Sequence, residues 1–241
     1  MRRNADVPRT SMKLGMAAKL AVAAAAAGIA VAACGPVQMG AAATLGSQRI
    51  SAAQLSAQVS NLNAGYQKYK TKIQLQYPAD QMTQQALGWL VRFRVRDRMA
   101  QREHITVTAG DAQRALAAIT AQIKQGGGNA TLPMLAVANG LPPDLISDLG
   151  RYQAIQDKLI SRLDGGQLPS GQAAQQTLQA QFTAAQCRAS KSLSIKINPQ
   201  FGELDYSQLS VLPAPPSLSA SEPSASPSAS PSAKPRLTPP C

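Results

Sequence analysis

The chain has 241 residues and a formal net charge of +12, from 24 Lys and Arg against 12 Asp and Glu, with three cysteines and a single histidine, His104. One histidine leaves little from which to build a nucleophile and base pair, and no spacing of Cys, His and acid has the pattern of a metal centre. The composition therefore points away from nucleophilic and metal-dependent catalysis: no enzyme, no cofactor and no bound metal are expected.

The first 33 residues read as a leader. Arg2, Arg3, Arg9, Lys13 and Lys19 give a basic start, and an alanine-rich apolar run over residues 20–33 follows, ending in small residues. Val31-Ala32-Ala33-Cys34 then matches a bacterial lipobox, in which Cys34 is diacylated and becomes the first residue of the mature chain. The alternative, a membrane-spanning helix, would need about 20 apolar residues, more than this run supplies. Met12-Lys13 opens a shorter leader of more usual proportions, and Arg2-Arg3 lacks the apolar follow-on of a twin-arginine signal. Cys34 thus predicts a protein held by lipid on the outer face of the cytoplasmic membrane. Cleavage leaves 208 residues with 19 basic and 11 acidic side chains. That moderate positive charge suits either simple solubility or a position against anionic headgroups and wall polymers. Cys187 and Cys241 could pair in an oxidising compartment, but two cysteines do not make a disulfide framework and mostly free thiols are expected.

Residues 34–43 form a small-residue tether. Ala42 to Ile50 predicts a short strand turning at Gly46-Ser47, and Ser51 caps a helix with Leu55, Val59 and Leu62 on one face. The pattern continues past Gly65 through Tyr66, Tyr69 and Ile73, with Lys68, Lys70 and Lys72 on a solvated face, until Tyr77-Pro78 stops it. A long central helix is expected from Asp80 to Glu103. Leu87, Val91, Val95 and Met99 make one apolar stripe, and Met82, Ala86, Trp89 and Phe93 make a second. Residues 91–96 also alternate with period two, as a strand would, but the longer context favours helix. Thr108 and Asp111 form a capping box for a helix ending at Gly126-Gly127-Gly128. Asn129 or Thr131 caps a short helix containing Pro133, and Pro142-Pro143-Asp144 opens one striped by Leu145, Leu149, Tyr152, Ile155, Ile160 and Leu163. A Gln- and Ala-rich helix from Pro169-Ser170-Gly171 to about Ala189, with only Leu178 and Phe182 as large apolar residues, should pack weakly. Leu193, Ile195 and Ile197 predict a strand that pairs with the segment before Ile50. Nine of the 17 prolines lie from Pro213 onward, a composition that cannot bury a core.

Local chemistry is sparse. His104 sits at a helix end, a common structural place for histidine, and Asp144 and Asp148 suit the start of a helix. The glycine triplet follows a helix instead of opening one, so it is no phosphate loop. Arg92, Arg94, Arg96 and Arg98 read as a solvated helix flank; a nucleic-acid role would contradict export.

The order of these elements resembles the amino-terminal domain of the SurA family of periplasmic chaperones, over about residues 42–163. Leu87, Leu90 and Met99-Ala100 precede His104-Ile105-Thr106-Val107-Thr108, which is similar to the family's glycine-led link, and Asp111-Ala112 opens the next helix. Ile195-Lys196-Ile197-Asn198-Pro199-Gln200-Phe201-Gly202-Glu203-Leu204-Asp205 looks like the ending of actinobacterial lipoproteins of this type. The parvulin prolyl-isomerase domain that would follow Gly165 is missing: no histidine lies beyond His104, and residues 165–188 are too few for a domain.

The resemblance implies a mainly α fold with a small two-stranded sheet joining early and late segments, spanning residues 44–212, with residues 213–241 as a disordered tail. It implies a holdase for unfolded secreted or envelope proteins, with an apolar groove between the long helices lined by Met82, Leu87, Trp89, Phe93, Met99, Met134, Leu145, Leu149 and Tyr152. The expected partners are extended polypeptides and, through Cys34, the bilayer; nucleic acids and small molecules are not expected. The rival expectation is a lipid-anchored scaffold or accessory subunit that binds one specific partner.

Overall fold

The computed structural model describes residues 40–165 and 171–214. Cys34 and its tether to residue 39, Pro169-Ser170 and the tail from residue 215, including Cys241, lie outside the described residues. Strand β1 (Ala41–Leu45) turns at Gly46-Ser47 into β2 (Gln48–Ser51), and six α-helices follow among the described residues. These are α1 (Ala52–Tyr69), α2 (Met82–Arg102), α3 (Ala109–Gln125), α4 (Leu132–Ala138), α5 (Ile146–Leu163) and α6 (Gln172–Leu193). Strand β3 (Lys196–Ile197) then returns to the start of the domain, and β4 (Glu203–Asp205) and β5 (Ser210–Leu212) form a separate hairpin. The fold is mainly α with small antiparallel sheets.

Local chemistry sets the helix starts. The Ser51 hydroxyl accepts from the Gln54 N–H at 3.0 Å, and at α3 the box closes from both sides. Thr108 Oγ1 accepts from the Asp111 N–H at 3.2 Å, while Asp111 Oδ2 accepts from the Thr108 N–H at 2.8 Å. The segment 103–108 that leads into this box is held from α5. Lys158 donates to the Thr106 carbonyl at 2.9 Å and to Asp111 at 2.6 Å, and Arg162 donates to the Glu103 carbonyl. Lys158 and the two Thr108 donors hold the Asp111 carboxyl well below the usual carboxylate range.

Helix α2 is the axis of the domain. It packs against α1, α5, α6 and β5, and Leu87, Val91, Val95 and Met99 are fully buried along it. Both apolar stripes are covered, so the helical reading of residues 91–96 holds and the strand alternative falls. Helices α3 and α5 meet through Gly150, where a β-carbon would lie 2.6 Å from Leu116 Cγ and 2.7 Å from the Ala112 carbonyl. Only hydrogen fits there.

The predicted pairing of late and early strands is present. β1 lies between β2 and β3, antiparallel to both, with Ala43 opposite Ile50 on one side and Ile197 on the other. The Asn198-Pro199-Gln200-Phe201-Gly202 stretch acts as a clasp. Asn198 donates from its backbone to Ala42 O at 2.9 Å and from its side chain to Ala41 O at 3.0 Å. Gly202, at φ 128°, lets the chain pass so close to β5 that a β-carbon would sit 2.0 Å from the Leu212 carbonyl.

Five expectations need correction. Helix α1 ends at Tyr69, not near Tyr77, because the chain turns to bring the Gln76 N–H onto Ala138 O at 2.8 Å. Helix α6 runs to Leu193 and is not weakly packed: Ala185, Cys187, Ala189, Ser190 and Leu193 are buried, and α6 lies against α2. Small residues achieve that burial by close approach, which a count of large apolar residues misses. Cys187 is disulfide-bonded, not a free thiol. The sheet that β3 joins has three strands, not two, and β4 and β5 form a second, separate pair that buries Leu204, Leu209 and Val211 against the core. The arginines of α2 are not a solvated flank, as described next.

Candidate functional site

The residues expected to line one groove fall in three places. Leu87 and Met99 are 0% and 1% exposed and belong to the core, so they can line nothing. This corrects the expectation for these two residues, whose face of α2 is closed by the packing of its neighbours. Met82 is half-buried at the start of α2, and Leu149 is half-buried against the core. Trp89, Phe93 and Tyr152 instead form an aromatic cluster joining α2 to α5. Phe93 lies 5.7 Å from Trp89 and 5.8 Å from Tyr152, the latter edge to face.

Arginines complete that cluster. Arg96, only 4% exposed, places its guanidinium 4.1 Å from the Tyr152 ring centre and 4.7 Å from that of Phe182, and donates to the Tyr152 hydroxyl at 2.6 Å. No carboxylate pairs with it among the described residues, and its second terminal nitrogen has no hydrogen-bond partner. Desolvation lowers the pKa of Arg96, opposed by Tyr152. Two aromatic faces thus stand in for a counter-ion and tie α2 to both α5 and α6. Arg92 lies over Trp89 at 5.0 Å and donates to the Leu209 carbonyl at 3.1 Å, and Arg98 donates to Ser192 at 3.0 Å. The row of arginines fastens other elements onto α2.

Two concavities bear on the expected groove. One, of about 170 Å³, opens between α2 and α5 over a floor of Leu90, Phe93, Leu145, Tyr152 and Ile155. Its rim carries Arg94, Asp97, Asp148 and Arg151, with Arg151 and Asp97 paired at 2.8 Å. Burial pushes the Asp148 carboxyl up, and the neighbouring Asp97 charge adds to this. At this volume the cleft is smaller than the roughly 300–1,000 Å³ of typical ligand pockets, and its ionic rim is largely matched within itself.

The other is a groove of about 760 Å³ between α4 and the segment that follows α1. Tyr69, Ile73, Met134, Leu135 and Ala138 give it apolar walls, while Gln74, Gln76, Asn129 and Thr131 give polar edges. Leu135, at 38% exposure, is the one large apolar side chain among the described residues that stands open to solvent. Of the expected groove residues this site contains Met134; Phe93, Leu145 and Tyr152 lie instead at the smaller cleft. Sequence reasoning missed Tyr69, Ile73 and Leu135. It carried α1 through to Tyr77, which turned the groove's non-helical wall into helix, and it had no reason to leave Leu135 uncovered.

Beside the groove, Tyr77 donates weakly to the Val137 carbonyl at 3.5 Å, and burial, with the nearby Tyr66, pushes its hydroxyl up to about 12. It is a structural support for α4. His104 is exposed, at φ 51°, in the left-handed position that ends α2. Among the described residues no group of three or more His, Cys, Asp and Glu could hold a metal ion, and no helix is long and apolar enough to cross a membrane. No family model, curated protein or solved structure matches the chain.

Proposed function

We propose that the protein is a lipid-anchored, extracytoplasmic holdase of the SurA type, which captures extended apolar segments of unfolded polypeptides in the groove between α4 and residues 72–76. The observation that carries this reading is the groove itself: about 760 Å³, with Leu135 uncovered on one wall and non-helical chain on the other. Apolar walls supply non-directional burial, which suits varied clients. The flexible thioether of Met134 can repack around different side chains. Gln74, Gln76, Asn129 and Thr131 supply amides and a hydroxyl that can bond to the backbone of any extended segment. The early and late strands of the domain pair as the SurA resemblance expects, and Cys34 would place the whole on the outer face of the cytoplasmic membrane. No isomerase step is part of this proposal.

The test is suppression of aggregation of a denatured secreted protein by the full chain, compared with Leu135→Asp. The wild type is expected to suppress light scattering at near-stoichiometric ratios, and the variant to lose most of that effect while keeping its thermal midpoint. No suppression at molar excess would overturn the proposal. Crosslinking in the cell envelope that yields a single stoichiometric partner would replace it with the scaffold reading.

A further inference from the structure

The groove has a charge asymmetry that bears on which segments it holds. Its lining contains no carboxylate, and its one charged member is Lys72. Lys72 does not act alone: Lys68 and Lys70 are exposed in the same turn, where α1 ends beside the groove. None of the three is ion-paired among the described residues. Lys68 rests its ammonium 5.3 Å from the ring centre of Tyr69, which itself forms part of the wall. The ion pairs Arg114–Asp111, Arg151–Asp97, Lys158–Asp111 and Arg188–Glu103 lie elsewhere, on α2, α3, α5 and α6 and the turn after α2. One mouth of an apolar groove is therefore bordered by unmatched positive charge.

From this we infer that the groove selects extended polypeptide segments in which apolar residues adjoin carboxylates, including segments that end in a free carboxyl terminus. The inference rests on the groove being the polypeptide site and deepens that reading. The apolar part of the segment lies against Ile73, Met134 and Leu135, and its acidic part lies towards Lys68, Lys70 and Lys72. Charge of this kind, exposed and unpaired, acts on encounter and on partner choice more than on total affinity, and it is screened by salt. Segments whose apolar residues are flanked by Lys or Arg are disfavoured by like charge at the same mouth.

The experiment measures fluorescence anisotropy of labelled twelve-residue peptides with the full chain. Two peptides share one apolar core, one flanked by Asp and Glu and the other by Lys. With three exposed pairs, each contributing a few tenths of a kcal/mol, the acidic peptide is expected to bind roughly tenfold more tightly at low salt. The preference is expected to shrink in 0.5 M NaCl. The triple variant Lys68→Glu, Lys70→Glu, Lys72→Glu is expected to reverse the preference without changing the thermal midpoint. Leu135→Asp is expected to weaken both peptides. If Leu135→Asp weakens both but the two peptides bind alike to the wild type, the charge selection fails and the groove reading stands. If Leu135→Asp leaves both unchanged, the groove reading itself fails, and this inference with it. If neither peptide binds while vesicles containing anionic phospholipid do so in a lysine-dependent manner, the lysines serve a membrane surface and the inference is overturned.

Discussion

Replacing Gly202 by alanine would put a methyl carbon where the chain already has a carbonyl oxygen. The added β-carbon would lie 2.0 Å from Leu212 O and 3.0 Å from a methyl of Val211, and Gly202 holds φ 128° with ψ −161°. That backbone region is essentially restricted to glycine, and occupying it with another residue costs on the order of 1–3 kcal/mol. The clash adds to this, because backbone cannot swing aside as the end of a side chain can. Relief requires β4 and β5 to separate, which loosens the burial of Leu204, Leu209 and Val211, each worth about 1.5–3 kcal/mol when fully buried. A total loss of about 3–6 kcal/mol is expected, or roughly 10 °C in thermal midpoint at about 2–4 °C per kcal/mol for a domain of this size. Gly127→Ala is the control. Gly127 also has positive φ, 74°, but nothing lies within 4 Å of a β-carbon there, so only the conformational cost of about 1–2 kcal/mol applies. The assay is urea unfolding followed by circular dichroism. Equal losses in the two variants would refute the claim that contact with β5, and not backbone strain alone, requires glycine at position 202.

Arg96→Ala is expected to destabilise by about 3–5 kcal/mol, because it removes a charged hydrogen bond to Tyr152 and leaves a void between two aromatic rings. Arg96→Met keeps the stem and ends the cost of a desolvated cation, so it is expected to stay within about 1.5 kcal/mol of wild type in the same unfolding assay. Asp111 has a folded pKa below its unfolded value, so its stabilising effect is full above about pH 4 and is lost as pH falls below that. Asp111→Asn should therefore show a smaller drop in urea midpoint between pH 6 and pH 3 than the wild type, and an equal drop would contradict the assignment. His104→Gly removes a side chain from a left-handed helix terminus and should raise stability by up to about 1 kcal/mol; a fall of that size would show that the imidazole has a structural partner.

Much of the fold was legible because local hydrogen bonds write themselves into short motifs. Ser51, Thr108 with Asp111, and Asn139-Gly140 each mark a boundary through groups a few residues apart, and the structure keeps all three. What resisted reading depends on distant partners. The burial of Ala185 and Ala189 is set by the surface of α2, and the sequence of α6 alone looks polar. Arg96 reads as surface because its counterpart is a pair of aromatic faces 56 residues away or more, not an acid. The groove was displaced for the opposite reason. Large apolar residues on α2 mark a core as readily as a binding wall, and only the packing of α1, α5, α6 and β5 decides between them.

The place of β1 between β2 and β3 also has a kinetic meaning. β2 follows β1 after a two-residue turn and can pair with it at once, whereas the clasp that completes the other edge joins residues 157 positions apart. Closing so long a loop costs entropy that only the finished helical core can offset, so β3 should dock late and slowly. A ribosome or translocation channel delivers the amino-terminal end first, and for most of that passage one edge of β1 has no strand beside it. Such an edge is a template for stray pairing with other chains. The interval between the arrival of Ala41 and that of Asn198 is the period in which this domain would itself gain most from a chaperone.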